Sequence, residues 1–247
     1  LMTNKTRIDL TDQMLDYCNR TVEELAAEDL CGYIFKKDSP SSGLFRVKVY
    51  NNGMAAKNGS GLFAATMVKR FPLLPMEEEG RLHDPQLREN FIERVFSYRR
   101  WKDFLAEGPS LGQLVRFHTN HKLLLMAHSP EIYRTMGALV AHAKELPLPE
   151  LLQRYEELFM KGLTLHATFK KNTNVLQHLM GYFKHQLTPD EKQELLEVIG
   201  QYHDQLTPLI VPITLLRHYV RKYDQQYLKE QVYLAPHPAE LMLRNHV

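Results

Sequence analysis

Two sets of polar residues in this sequence are spaced to do chemistry. The first is the run Lys36-Lys37-Asp38-Ser39-Pro40-Ser41-Ser42-Gly43-Leu44. Three hydroxyls with a proline and a glycine make a tight turn, which presents backbone N–H groups and short side chains beyond a strand end, where α/β sheets place ligands. Downstream, Glu77-Glu78-Glu79 and Arg81 add three carboxylates and a guanidinium. A carboxylate at the end of a parallel strand can serve as a general base or hold a ligand N–H, and an arginine can fix it in a bidentate pair. Ser39, Ser41, Ser42, Gly43, Glu77, Glu79 and Arg81 are the candidate catalytic residues. The plainer reading is an ordinary turn followed by a solvated charge run.

The second set is histidine-rich. His118, His121 and His128 are spaced by three and seven, which brings them near one face of an expected helix with Lys122 at its edge. On a later helix His166, Lys170, Asn174, His178 and Tyr182 recur every four residues, flanked by Val175, Leu176, Leu179 and Met180. Polar stripes that face each other across a bundle enclose ligand sites. His118, His121, Lys122, His128, Asn174 and His178 are therefore candidate substrate-binding residues, with His121 and Lys122 expected opposite Asn174 and His178. Solvated helix faces are the plainer alternative. No acidic residue stands at the spacing that di-iron bundles use, so no metal site is expected.

The elements that must position these groups are of two kinds. Met14, Leu15, Cys18, Val22 and Leu25 predict a helix over 11–28, with an alternative start at the capping box Thr21-Val22-Glu23-Glu24. Tyr33-Ile34-Phe35 reads as a buried strand and Arg46–Tyr50 as a half-buried one. Asn51-Asn52-Gly53 signals a turn, Gly59-Ser60-Gly61 opens a helix to Arg70, and Phe71–Met76 reads as a short buried strand. Strand, helix, strand implies a crossover and a parallel sheet. Asp84-Pro85 then starts a long helix. After Trp101 only helix starts follow, at Ser110, Ser129-Pro130, Pro149-Glu150 and Thr188-Pro189-Asp190-Glu191. The expected fold is α/β, a partial parallel sheet with flanking helices over 1–106, followed by an all-α domain over 107–247. Gly108-Pro109 marks the boundary.

Both parts resemble known families. Cys31–Leu44, Gly61-Leu62-Phe63-Ala64 and Leu74–Leu82 resemble the later half of a bacterial domain family that includes the 2-thiouracil desulfidases. Its members carry Ser-Pro-Ser-Cys-Gly, whose cysteine joins two N-terminal cysteines in holding a [4Fe–4S] cluster. Here Ser42 stands at the loop cysteine, and the region of the other two is absent. The chain opens at Leu1, so it reads as a fragment or a trimmed protein. The resemblance implies that intact relatives remove sulfur from thiolated nucleobases through the cluster. A serine hydroxyl is a hard ligand of high pKa, so no cluster is expected in this chain as given. Further on, Phe117–Ser129, Asn174–Lys184 and Gln231–Pro238 resemble the YbgA-type helical domain across roughly 110–246, in order. That domain often follows the desulfidase-like one. A thiolated nucleobase or thiolated RNA is the partner implied; a non-catalytic binding or interaction module is the alternative.

Composition sets the remaining limits. The chain has 247 residues, 44% hydrophobic and 24% charged, and a net charge of +2. That is ordinary for a globular protein and gives no basic face for DNA. No apolar run approaches the ~18 residues of a membrane span, and no signal peptide opens the sequence; the use of only two cysteines leads to the expectation of a cytoplasmic, reduced location. Cys18 and Cys31, the two cysteines, make no disulfide framework and fit neither zinc nor cluster spacing. Both are expected to be buried spectators.

Overall fold

The computed structural model describes residues 1–3, 5–51 and 54–246, so the expected turn at Asn52-Gly53 lies outside the described residues. The chain divides into two compact units, Leu1–Phe91 and Ile92–Val247. The first is α/β and the second, among the described residues, is helical.

In the first unit, helix α1 (Thr11–Ala26) runs through Arg20 without a break, burying Cys18 and Val22. Cys31, by contrast, is only half-buried. Strand β1 (Tyr33–Phe35) pairs in parallel with β4 (Met76–Glu78), in the register Tyr33 to Met76, Ile34 to Glu77 and Phe35 to Glu78. Between them lie an antiparallel hairpin, β2 (Val47–Asn51) and β3 (Met54–Gly59), and helix α2 (Leu62–Arg70). Two expectations need correction. The strand expected over 71–76 begins only at Met76, because Pro72 and Pro75 have no N–H to give a ladder; the Pro75 carbonyl instead accepts from Tyr33 N–H at 2.9 Å. The shift places Glu77 and Glu78 inside a buried strand, where a solvated turn was the plainer reading. Strand β3 was not expected at all. Its Met-Ala-Ala-Lys-Asn-Gly sequence has no β-branched residue, and it forms by backbone pairing with β2 while staying exposed.

Helix α3 (Pro85–Ala106) carries the chain into the second unit, with Asp84 Oδ1 accepting from Gln86 and Leu87 N–H at its start. There follow α4 (Leu111–His128), α5 (Pro130–Ala141), α6 (Leu148–Thr164), α7 (Phe169–Gly181), α8 (Pro189–His203), α9 (Ile210–Lys222) and the single turn α10 (Gln226–Lys229). The caps do what their residue types allow. Ser110 and Thr188 form capping boxes with Gln113 and Glu191, and the Ser129 hydroxyl accepts from Ile132 N–H. Helix α6 starts at Leu148, just before the expected Pro149-Glu150, without a side-chain cap.

The core of this unit centres on Trp101, which is fully buried. It stacks on Tyr155 at 5.2 Å and meets Phe104 at 5.2 Å, Phe117 at 5.3 Å and Phe159 at 6.3 Å. Each large ring removes ~150–250 Å² from water, so this cluster is a leading share of the unit's stability. It also explains why the division of the chain falls at 91/92 and not at the Gly108-Pro109 break: the second half of α3 supplies the ring at the centre. A fragment of residues 92–247 is therefore expected to melt cooperatively as a helical unit. A fragment of 110–247, lacking Trp101 and Phe104, should be less stable by at least the ~3–5 kcal/mol of a Trp→Ala core truncation. Equal melting of the two by circular dichroism would contradict this.

Candidate functional site

Helix α4 is largely buried from Phe117 to His128, and of its five basic side chains Arg116 pairs with Glu230 at the surface while the three histidines and Lys122 meet four different surroundings. His118, buried, shares a hydrogen bond of 3.2 Å between Nδ1 and the Tyr155 hydroxyl. Its ring lies parallel to Tyr133 on α5, 6° apart in plane at 5.5 Å. One turn on, Lys122 is half-buried and makes no recorded hydrogen bond or ion pair among the described residues. His178 on α7 is exposed, and its ring stands edge-on to Tyr182 at 5.6 Å. Tyr182 stacks on Tyr227 of α10 at 5.2 Å and is hydrogen-bonded to it.

Charge ties this cluster together. Burial, and then the Lys122 ammonium, push the pKa of His118 below the ordinary imidazole value. The same two causes, in the same order, lower His178. Burial raises the Tyr133 phenol, with Tyr182 adding to it. Burial, the Tyr182 hydrogen bond and the nearby phenols raise Tyr227. The result is one fixed cation, two imidazoles biased to neutrality and phenols biased to keep their protons. Helices α4, α5, α7 and α10 each supply part of it.

His121 and His128 face elsewhere. His121 Nδ1–H donates to the Phe117 carbonyl at 2.8 Å, and its ring stacks on Phe117 at 4.0 Å. Burial takes its pKa down to about 3, with Arg100 and His118 adding to the fall and the Phe117 bond opposing it. The neutral ring leaves Nε2 as a lone pair, buried without a hydrogen-bond partner among the described residues. His128 sits between two acceptors, the Leu165 carbonyl at 2.7 Å from Nδ1 and Glu93 at 3.1 Å from Nε2. Arg244 closes that group by donating to Glu93 at 2.7 Å and to the Tyr233 carbonyl at 2.7 Å. Burial works to raise the Glu93 carboxyl, but Arg244 and His128 outweigh it and hold the group ionised. Asn174 is exposed on α7. The structure thus places His118 against Tyr133 and His178 against Tyr182, with Lys122 acting electrostatically on both histidines, while His121 and His128 are bonded to other groups and Asn174 is exposed. The expected stripe from His166 is interrupted because Thr168 caps α7, leaving His166 before the helix.

In the first unit the serine loop is tightly held. Ser39 and Ser41 hydroxyls lie 3.2 Å apart, and Ser41 and Ser42 hydroxyls 3.4 Å. The Ser41 carbonyl accepts from Phe63 and Ala64 N–H at the start of α2. Gly61 allows this approach, since a Cβ there would fall 2.2 Å from the Ser41 oxygen. Gly43 is equally confined, its missing Cβ lying 2.4 Å from Val47. Glu78 Oε1 accepts from Leu44 and Phe45 N–H at 2.8 and 3.0 Å and so fixes the end of the loop. Glu77 accepts from Arg81 at 2.8 Å and from Glu78 N–H at 2.9 Å, while Glu79 pairs with Lys36 at 2.6 Å at the surface. The carboxylate that sequence reasoning passed over, Glu78, is the one that accepts from the backbone at the end of the loop.

These residues do not fit an iron–sulfur cluster. The loop offers hydroxyls that bond to one another, and among the described residues no three ligating side chains that include a cysteine converge. Cys18 is buried in α1, where burial pushes its thiol up, away from thiolate.

Sequence reasoning also missed Tyr133, Tyr155 and Tyr227. The first lies four residues after the Ser129 cap, a position that marks it as inward-facing once α5 is placed. The other two carry no local signal that separates them from core aromatics.

Comparison with known proteins agrees with this division. Residues 1–79 match the family model described as 2-thiouracil desulfurase. Residues 122–238 match that of a protein family of unknown function, DUF1722. The uncharacterized protein YbgA of Escherichia coli (strain K12) is 29% identical over 158 residues, which cover 64% of this chain and 94% of that protein. No solved structure matches. The chain therefore joins a desulfurase-like segment to a YbgA-like helical one.

The state of His121 has a measurable consequence. Its folded pKa of about 3 lies below the unfolded value of ~6.5, so the unfolded chain binds the proton first. Its contribution to stability is complete above pH ~6.5 and is lost as pH falls toward 3. Urea titrations from pH 7 to pH 4 should show a shallower loss of stability in His121→Phe than in the wild type. Parallel curves would show that His121 titrates normally.

Proposed function

We propose that this chain is a binding protein for a small organic molecule, held in the helical unit by His118, Lys122 and His178 with Tyr133, Tyr182 and Tyr227. The observation that carries this reading is the set of ring contacts, His118 on Tyr133 and both His178 and Tyr227 on Tyr182, with Lys122, a half-buried ammonium without a hydrogen bond or ion pair among the described residues, one turn from His118. Aromatic side chains grouped with a few polar ones are a common lining of ligand sites. The serine-loop unit then acts as a desulfurase-like scaffold without a cluster of its own. Ser39, Ser41, Ser42, Gly43, Glu77, Glu79 and Arg81 are structural or substrate-contacting in this reading, not cluster ligands.

A second reading is sulfur removal from a thiolated nucleobase, free or within RNA. It is supported by the match over residues 1–79 and by the rigid loop that Gly61 and Glu78 hold in place. It requires thiolates that the loop does not offer.

Thermal melts against a panel of nucleobases, thiolated nucleobases, nucleotides and aromatic acids test the first reading. A ligand at about a hundred times its Kd adds ~2.7 kcal/mol, or roughly 5–10 °C in Tm for a unit of this size. The rise should vanish in Lys122→Met. A panel that leaves Tm unchanged throughout would remove the proposal. Reconstitution with iron and sulfide is expected to give no broad visible absorbance. Uptake of ~4 irons per chain, or sulfide release from 2-thiouracil, would favour the second reading instead.

A further inference from the structure

We propose that His128 is a buried imidazolium, hydrogen-bonded through both ring nitrogens, and that loss of its second proton as pH rises loosens the junction it makes between α3, the end of α4 and the segment after α6.

The proposal starts from what the neighbours of the ring can do. A backbone carbonyl and an ionised carboxylate only accept hydrogen bonds. His128 Nδ1 lies 2.7 Å from the Leu165 carbonyl oxygen, and Nε2 lies 3.1 Å from Glu93 Oε2. A neutral imidazole has one N–H and satisfies one of these acceptors. Both bonds together need hydrogen on both nitrogens. At 1% exposure the ring finds its partners inside the protein. The alternative puts the proton on Glu93. Burial favours that, but Arg244, which donates to Glu93 Oε1 at 2.7 Å, and then His128 bring the carboxyl pKa down to about 2.

Should the ring become neutral, the shorter bond, to Leu165, keeps the remaining N–H. Nε2 then turns a lone pair toward a carboxylate at 3.1 Å. Two acceptors face each other where water is excluded, and a link between α3 and α4 becomes a repulsion. The other charges around this junction act on the carboxylate or on the backbone. Glu89, one turn earlier on α3, lies within 4.8 Å of Glu93. Arg100 and His237 feel the Glu93 charge. Lys171 on α7 donates to the His128 carbonyl at 2.7 Å and to that of His166 at 3.0 Å. Among the described residues, the charged side chain bonded to the ring itself is Glu93.

The sign follows from proton counting. An unfolded histidine gives up its second proton near pH ~6.5, whereas the folded chain here holds it in two bonds. Stability falls with rising pH wherever the folded state binds more protons. The contribution of His128 is therefore complete below pH ~6.5 and is lost as pH rises until the folded ring too is neutral.

Imidazole nitrogen NMR on the full 15N-labelled chain at about pH 7 reads the state of the ring. His128, assigned by through-bond correlation to its own backbone, should show two protonated nitrogens. One bare nitrogen would overturn the proposal. Urea unfolding from about pH 6 to pH 9 reads the consequence. The midpoint should fall with pH in the wild type. It should fall less steeply in Glu93→Gln, whose amide N–H donates to a neutral ring and removes the need for the second proton. Parallel slopes would overturn the proposal. If Glu93→Gln does not fold, His128→Gln, which cannot titrate, gives the same comparison. If neither folds, amide exchange in the last turn of α4 in the wild type must quicken in step with loss of the Nε2 proton. Exchange indifferent to that proton would overturn the proposal as well.

Discussion

Burial of α4 from Phe117 to His128 is the constraint from which the helical unit's chemistry follows. A helix enclosed by its neighbours must have each of its polar side chains answered from another element or from its own backbone. His118 is answered by Tyr155, His121 by the carbonyl of Phe117, and His128 by Leu165 and Glu93. On α4 the groups left unanswered among the described residues are the buried Nε2 of His121 and the half-buried ammonium of Lys122.

The first unit solves a different problem, that of holding a short irregular loop still. Its devices are a buried carboxylate under two backbone N–H groups, a glycine that lets α2 approach, and turns of left-handed backbone at Asp38 and Arg46. Non-glycine residues in that conformation cost free energy that the surrounding contacts must offset. Its hydroxyls are already engaged with one another.

Much of this was legible in the sequence, and the reasons differ by element. The caps at Ser110, Ser129 and Thr188 could be read because a cap is a local event: one side chain and one N–H three residues away. Strand β4 was misplaced because Pro72 and Pro75 sit within an apolar run and remove the donors a strand needs. The histidines of α4 were harder. At 100° per residue, His121 and His128 point within about 20° of each other, while His118 is turned away by about 60–80°. On an exposed helix that spread counts as one face. Inside a packed bundle it spans different neighbours, so the three rings part company. Lys122 acts on His178 only through the packing of α4 against α7, and Tyr133, Tyr155 and Tyr227 arrive from three other elements. Spacing along one helix could not have revealed them.

The Glu93–Arg244 bond has a consequence for how the chain comes into being. Its partners are 151 residues apart in sequence. A ribosome adding ~5–20 residues per second delivers Arg244 some 8–30 seconds after Glu93. Throughout that interval the carboxylate at the centre of the α3–α4 face lacks the guanidinium that later secures it. Until then His128 is the partner that Glu93 has. Completion of the Glu93 group is thus an event timed by translation, its guanidinium arriving last, from the carboxyl-terminal side.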